Sequence, residues 1–188
     1  MTSTLKFPFA FDVERLKSDL SKFGEADWTP HFNTQYYEGD WSGIALRATR
    51  NAKLGGLYPD PVAADGYENT AQLSRCDYLP EVLKTFECEM ESARLLRLGA
   101  AAKIREHRDY TMSVEDGVAR VHVPVQTNPQ VEFFLDRKLV KMDEGEAWYL
   151  NLNLPHSVIN HGSNVRVHLV LDCVVNDWFE SFFHTKIT

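Results

Sequence analysis

A histidine and an aspartate two residues apart are the first feature of this sequence that could carry out chemistry. His107 and Asp109 occur in the segment Glu-His-Arg-Asp-Tyr, and residues i and i+2 of an extended chain point to the same face. The imidazole and the carboxylate are therefore expected to converge on one point. A second histidine from another strand would complete two histidines and one carboxylate, a set that leaves open positions on a ferrous ion for substrate and oxygen. The downstream candidates are His156, His161 and His168.

Two strand-like runs carry an arginine and a histidine on one face and apolar residues on the other. These pairs are Arg166 with His168 inside Val165–Leu171, and Arg120 with His122 inside Ala119–Val123. An arginine on an inward face requires an anion. The two runs together with the His-x-Asp pair therefore indicate an interior that collects polar groups.

Three alternatives remain open when only residue types and spacing are considered. The two polar faces could be the solvated faces of ordinary strands. His161 lies in the turn-like segment Asn-His-Gly-Ser and is expected to be exposed rather than ligating. His168 competes with His156 for the third ligand position because it lies two residues from Arg166.

An ordered series of motifs between Arg94 and Asp172, nearly half of the chain, resembles a known family. The motifs are Arg-Leu-Gly-Ala-Ala-Ala-Lys-Ile-Arg-Glu-His-Arg-Asp ending at Asp109, Arg-Val-His-Val-Pro-Val from Arg120, Gly-Glu-Ala-Trp-Tyr-Leu-Asn from Gly145, Pro-His-Ser-Val-Ile-Asn from Pro155, and Arg-Val-His-Leu-Val-Leu-Asp from Arg166. They resemble the aspartyl/asparaginyl β-hydroxylase family of Fe(II)/2-oxoglutarate-dependent oxygenases, in its short bacterial form. The ordered combination is specific, although His-x-Asp alone is weak.

The resemblance implies a role for each matching residue. It implies that His107, Asp109 and His156 are the iron ligands and the catalytic centre. It also implies that Arg166, ten residues after His156, pairs with the distal carboxylate of 2-oxoglutarate. The same pattern puts Arg120 and His122 beside this cosubstrate. The implied cofactors are Fe(II), 2-oxoglutarate and O2.

The elements that would position these residues are mostly short strands. From residue 91 to 174, runs rich in Val, Leu, Phe and Tyr alternate with turn residues, which is typical of an all-β sandwich or barrel. Helical spacing of apolar residues predicts helices over Phe11–Phe23 and Val175–Phe183. Pro80, in the first turn after Asp77 and Tyr78, predicts a short helix over Leu79–Glu87. With the resemblance, we predict a mainly β fold, a double-stranded β-helix of the cupin-like jelly-roll type with flanking helices.

The chain is expected to form one oxygenase domain of three parts. Residues 1–90 form a helical and loop-rich part that covers the site, residues 91–174 form the jelly-roll core, and residues 175–188 form a C-terminal helix. The only strand-like run predicted between Trp28 and Gly66 is Gly43–Thr49. No family motif occurs in the first 90 residues, so the resemblance does not imply a particular substrate. Variable residues in Trp28–Asp77 would recognise the substrate.

Composition excludes several classes of partner. The 188 residues include 20 Lys and Arg against 27 Asp and Glu, a net charge of −7, so binding to a nucleic-acid backbone is not expected. No apolar run is long enough to span a bilayer, and no export signal is visible, so no membrane partner is expected. Cys76, Cys88 and Cys173 form no Cys-x-x-Cys motif, which favours a reducing, cytoplasmic setting.

The sequence therefore predicts an Fe(II)/2-oxoglutarate-dependent dioxygenase that hydroxylates an unactivated carbon of an amino acid, free or within a peptide. Two alternatives remain open. One keeps the same cofactors but ends in desaturation or cyclisation in a biosynthetic pathway. The other is a noncatalytic cupin-like protein that binds a metal or an anion.

Overall fold

Two antiparallel β-sheets that pack face to face form the body of the protein in a computed structural model. The structure describes residues 2–50, 52, 56–57 and 66–184. One sheet has eight strands and the other has five. This arrangement confirms the predicted mainly β fold of the jelly-roll type.

The larger sheet contains both runs that carry Arg-Val-His. In order across the sheet, its strands are β1 (Thr4–Ala10), β11 (Glu146–Leu150), β8 (Val118–Gln126), β13 (Arg166–Val174), β6 (Met90–Leu98), β4 (Trp41–Thr49) and β2 (Thr29–Pro30), with β5 (Tyr67–Asn69) paired to β4. β13 lies between β8 and β6, so both of its edges are hydrogen-bonded and nearly all of its residues are buried.

The smaller sheet carries the other predicted chemical groups. In order, its strands are β10 (Lys138–Leu139), β9 (Val131–Leu135), β12 (His156–Asn160), β7 (Lys103–His107) and β3 (Tyr37–Glu38). β12 and β7 are antiparallel neighbours in the middle of this sheet. Residues that are distant in sequence are thereby placed side by side.

Three α-helices among the described residues pack on the larger sheet, close to where the sequence predicts them. They are α1 (Val13–Leu20), α2 (Leu79–Lys84) and α3 (Asp177–His184). The Asp12 carboxylate accepts the backbone N–H of Arg15 and thereby caps the first turn of α1. Among the described helices, none combines the length and the apolar character needed to cross a bilayer.

Two apolar cores lie on opposite faces of the larger sheet. The first core joins the sheet to the helices through residues such as Leu16, Leu79, Phe179 and Leu169. The second core lies between the two sheets and includes Trp41, Leu98, Ile104, Phe133 and Val158. The polar residues of β8 and β13 share this second, inter-sheet space.

Several elements differ from the sequence-based predictions. Edge strand β1 was not predicted, although its residues pair with β11. One of the strand-like runs in residues 91–174, Leu139–Met142, forms a strand only at its first residue, because β10 ends at Leu139. Strands β1 to β5 show that the first 90 residues contribute to both sheets. The predicted recognition segment Trp28–Asp77 and the predicted C-terminal part lie partly outside the described residues.

Candidate metal centre

A cavity of about 390 Å³ opens between the two sheets. Its wall combines strand residues of both sheets with residues of the segment between β2 and β4. The side chains that matter for chemistry are His31, Trp41, Arg94, His107, Asp109, Arg120, His122, His156 and Arg166. All six residues predicted as site residues therefore meet at one cavity.

Three of these residues form a group with the composition of a metal site. One potential ligand atom from each of His107, Asp109 and His156 lies within 4.8 Å of the other two. His107 and His156 are paired directly across β7 and β12, and their ring centroids are 4.2 Å apart. The pairing of neighbouring strands thus places a second histidine beside the His-x-Asp pair.

A β-bulge turns His107 toward the cavity. Val158 pairs with Ile104, whereas His156 pairs with His107, so two residue steps on β12 match three steps on β7. In a regular strand, residues three apart point to opposite faces. Because of the extra residue, Ile104 and His107 both line the cavity.

Backbone carbonyls fix the tautomers of the two histidines. Nδ1 of His107 lies 2.8 Å from the carbonyl oxygen of Arg105, and Nδ1 of His156 lies 3.1 Å from that of Leu154. A carbonyl oxygen only accepts hydrogen bonds, so each Nδ1 carries a proton and Nε2 is the nitrogen left to face a metal ion. This is the tautomer in which an imidazole binds a metal ion through Nε2.

Asp109 is positioned by a loop and an arginine rather than by a strand. β7 ends at His107, and the backbone N–H of Asp109 donates to the carbonyl of Leu152 over 2.9 Å. Arg120 Nη1 donates to Asp109 Oδ2 over 2.5 Å. The other oxygen, Oδ1, lies 3.6 Å from His107 Nε2. Convergence of the pair, predicted from an extended chain, therefore has a different structural cause.

Arg120 also binds a second carboxylate that lies deeper in the protein. Its Nε and Nη2 donate to the two oxygens of Asp172 over 2.6 and 3.0 Å. The same carboxylate accepts hydrogen bonds from Ser92 over 2.7 Å and from Arg94 over 2.6 Å. Burial alone would raise the pKa of Asp172, but the two arginines hold it well below its usual range.

Arg166 is buried without a carboxylate partner among the described residues. Its Nη2 donates to His168 Nδ1 over 2.8 Å, while its Nε has no hydrogen-bond partner there. Burial lowers the pKa of its guanidinium to about 9. A buried cation of this kind provides a binding position for an anion.

His122 lies beside this arginine-histidine pair. Its Nδ1 is 3.3 Å from His168 Nδ1, and its buried Nε2 has no partner in the part of the chain that the structure describes. Burial, reinforced by the charge of Arg166, holds the pKa values of both imidazoles well below their usual range. His122 and His168 are therefore neutral at physiological pH.

The structure also shows where the residues behind the remaining alternatives lie. The polar faces of β8 and β13 point to the inter-sheet space rather than to solvent. His168 contacts Arg166 and His122 and is absent from the three-residue group. His161 is exposed and lies 3.3 Å from Glu132, as its turn context predicted.

Sequence reasoning missed the residues that surround Arg120 and those contributed by the N-terminal segment. Asp172 has a detectable signal, because it shares the alternate-position polar face of β13 with Arg166 and His168. Ser92 and Arg94 show the same alternation on β6. His31 and Trp41 have no such signal, because they lie at opposite ends of the connection between β2 and β4.

The sequence model of one family, described as aspartyl/asparaginyl beta-hydroxylase, matches residues 11–175. The chain is 30% identical over 176 residues to an L-proline cis-4-hydroxylase of Rhizobium meliloti (strain 1021), covering 92% of this chain and 61% of that protein. It is 26% identical over 173 residues to an L-proline cis-3-hydroxylase 1 of a Streptomyces species, covering 90% of this chain and 59% of that protein. The chain thus spans about three fifths of the length of these curated relatives.

A solved structure supports the assignment of the fold. An oxidoreductase of the 2OG-Fe(II) oxygenase family from Burkholderia pseudomallei superposes with a TM-score of 0.60 at 14% identity, covering 92% of this chain and 84% of that one. The family match extends over most of the chain, including every strand after β1 and every residue of the cavity described above. This chain therefore belongs to the aspartyl/asparaginyl beta-hydroxylase family.

Proposed function

We propose that this chain is an Fe(II)- and 2-oxoglutarate-dependent dioxygenase that hydroxylates an unactivated carbon of an amino acid. The observation that carries the proposal is the placement of His107, Asp109 and His156 in the same cavity as Arg166, a buried cation with no carboxylate partner among the described residues. The cavity volume of about 390 Å³ is at the lower end of the range for small-ligand sites. A free amino acid such as L-proline, the substrate in the names of the two relatives, is the favoured substrate class.

The residues present fit both implied groups. Two imidazole Nε2 atoms with free lone pairs and one carboxylate oxygen are the donors typical of a nonhaem ferrous site. Arg166, with its unpaired buried Nε, fits the distal carboxylate of a dicarboxylic keto acid. When bound, Fe(II) and 2-oxoglutarate would supply the O2 activation that amino-acid side chains cannot carry out.

The protein's own residues would hold the metal, orient the cosubstrate and exclude water. His107, Asp109 and His156 hold the metal, and the Arg105 and Leu154 carbonyls keep the two imidazoles in the ligating tautomer. Arg166 anchors the cosubstrate, while His122 lies beside it as a neutral group. Apolar residues of the inter-sheet core, such as Phe133 and Val158, exclude water from this part of the cavity.

Arg120 has a different role from that of Arg166 in this proposal. Its Nε, Nη1 and Nη2 all donate to the carboxylates of Asp109 and Asp172. It therefore holds Oδ2 of Asp109 and leaves Oδ1 for the metal. Its predicted contact with the cosubstrate stays a prediction.

The proposed function is tested by coupling amino-acid oxidation to 2-oxoglutarate consumption. The purified protein is reconstituted with Fe(II) without oxygen and then exposed to isotopically labelled O2 with 2-oxoglutarate and a panel of amino acids that begins with L-proline. We expect amino-acid-stimulated succinate formation and a product with one added labelled oxygen atom. A product lacking two hydrogens instead would indicate desaturation or cyclisation, and metal binding without succinate formation would indicate a noncatalytic protein.

The buried carboxylate of Asp172 is expected to matter for metal binding although it does not line the cavity. In Asp172→Asn, Arg120 loses a charged partner and holds Asp109 less rigidly. Loss of such outer partners typically lowers metal affinity by about 10- to 100-fold. Anaerobic Fe(II) titration measures the change, and Asp143→Asn, which alters an exposed carboxylate, is the matched control. An unchanged Fe(II) affinity in Asp172→Asn would contradict this positioning role.

A further inference from the structure

His31 is a half-buried histidine that lines the cavity and is held firmly by its neighbours. Its ring stacks on Trp41, with centroids 3.5 Å apart and planes 11° apart, and on Phe32, with centroids 4.5 Å apart. The backbone N–H of His31 donates to the Trp41 carbonyl over 2.8 Å, and Tyr37 Oη donates to the His31 carbonyl over 3.3 Å. The position and plane of the imidazole are therefore fixed before any ligand binds.

The tautomer of His31 is also fixed. The backbone N–H of Asn33 donates to His31 Nδ1 over 3.3 Å, so the proton of the neutral ring is on Nε2. Burial lowers the pKa of His31 to about 4, with a further contribution from the positive charge of Arg94. At physiological pH the side chain is a neutral donor, and its Nε2 has no hydrogen-bond partner among the described residues.

The indole of Trp41 presents a second N–H group in the same part of the cavity. Trp41 is 8% exposed, and its Nε1 is a buried donor that lacks a partner among the described residues. Buried donors in folded proteins nearly always have acceptors. The two stacked rings, here called the His31–Trp41 wall, carry two N–H groups that lack a partner among the described residues and therefore offer donors to a ligand with acceptor atoms.

The geometry points to the His31–Trp41 wall as the binding position for the α-carboxylate of the amino-acid substrate, with His31 Nε2–H as a direct donor. This inference rests on the proposed function and adds the part of the substrate that is recognised. A carboxylate has only acceptors at physiological pH and can take a hydrogen bond on each oxygen. His31 and Trp41 line the same cavity as His107 and Asp109. Arg166, the proposed cosubstrate anchor, is not part of the wall.

The test compares a carboxylate with its amide in variants of one residue. Binding of L-proline and of L-prolinamide is measured by calorimetry without oxygen, on protein loaded with Fe(II) and 2-oxoglutarate. His31→Phe keeps a planar ring and removes the donor, so we expect the Kd for L-proline to rise by about 10- to 100-fold, as for a lost hydrogen bond to a charged group. The preference for the acid over the amide should fall by a similar factor.

Additional variants separate recognition from stability. His31→Gln retains an N–H donor and is expected to recover part of the lost affinity, and Trp41→Phe removes only the indole N–H from the wall. His161→Phe, which changes an exposed histidine outside the cavity, is the matched control and is expected to bind like the wild type. Thermal unfolding of each variant checks folding, and Trp41→Phe provides the test if His31→Phe does not fold.

The possible outcomes are distinct. An unchanged Kd for L-proline in both ring variants overturns the inference, and so does an equal loss for acid and amide. A higher Kd for 2-oxoglutarate in His31→Phe, with an unchanged Kd for L-proline, would assign the wall to the cosubstrate. That result would also overturn the inference. Failure of the wild type to bind any amino acid contradicts the proposed function as well, which separates the two kinds of failure.

Discussion

Replacing any one of His107, Asp109 and His156 with alanine is expected to abolish turnover and to lower Fe(II) affinity by more than about 100-fold. The estimate exceeds the 10- to 100-fold loss that is usual for outer partners of a metal ligand, because here a donor atom itself is lost. The three donors are held by separate elements, namely β7, the loop after β7 and β12. Removal of one side chain therefore leaves the other two in place but with too few donors.

The measurement for these variants is anaerobic Fe(II) titration, followed by succinate formation in the presence of O2. Thermal unfolding should change much less than metal affinity, because His107 and Asp109 are only half-buried. His161→Ala is the matched control, since this histidine is exposed and contacts Glu132. If His156→Ala retained Fe(II) while His168→Ala lost it, the assignment of the third ligand would be wrong.

Arg166→Gln is expected to raise the KM for 2-oxoglutarate by about 10- to 1,000-fold. Removing one partner of a buried, hydrogen-bonded ion pair costs roughly 2–5 kcal/mol, and each 1.4 kcal/mol corresponds to about tenfold. The buried guanidinium of Arg166 has no carboxylate partner among the described residues, so 2-oxoglutarate would provide its carboxylate partner. Arg166→Lys should recover only part of the affinity, because an ammonium group lacks the planar fork.

A 2-oxoglutarate titration of each purified variant, corrected for its iron content, measures this effect. The iron correction matters because metal loss would otherwise be counted as cosubstrate loss. Arg120→Gln provides the contrast, since its main expected effect is on Fe(II) affinity through Asp109. If Arg166→Gln kept the native KM for 2-oxoglutarate while Arg120→Gln lost 2-oxoglutarate binding, the cosubstrate anchor would be Arg120 on β8 rather than Arg166 on β13.

Much of the site was predictable because β-strands alternate their faces. The alternation at Arg166 and His168, and at Arg120 and His122, correctly indicated two polar faces that meet in the interior. The same rule placed the apolar residues of β13 in the core beneath the helices. Helices over residues 13–20 and 79–84 followed from apolar spacing and from the position of Pro80 in the first turn.

The remainder depends on contacts that residue spacing does not encode. Asp109 reaches the site from a loop, through a backbone bond to Leu152, so the extended-chain argument gave the right neighbours for an incomplete reason. The buried network around Asp172 depends on the pairing of β13 with β6 and β8. The His31–Trp41 wall depends on how a connection between two strands folds back, and no periodicity describes such a connection.

The bulge beside His107 adds one residue to β7 relative to its neighbour β12 and still leaves the histidine facing the cavity. Arg105 and Glu106 are exposed, so substitutions there change mainly the surface. Deleting one of these two residues would restore regular pairing with β12 and place His107 two positions after Ile104, on the same face of the strand. In evolutionary terms, a relative with one residue fewer in this strand and no bulge can present the same histidine to the cavity.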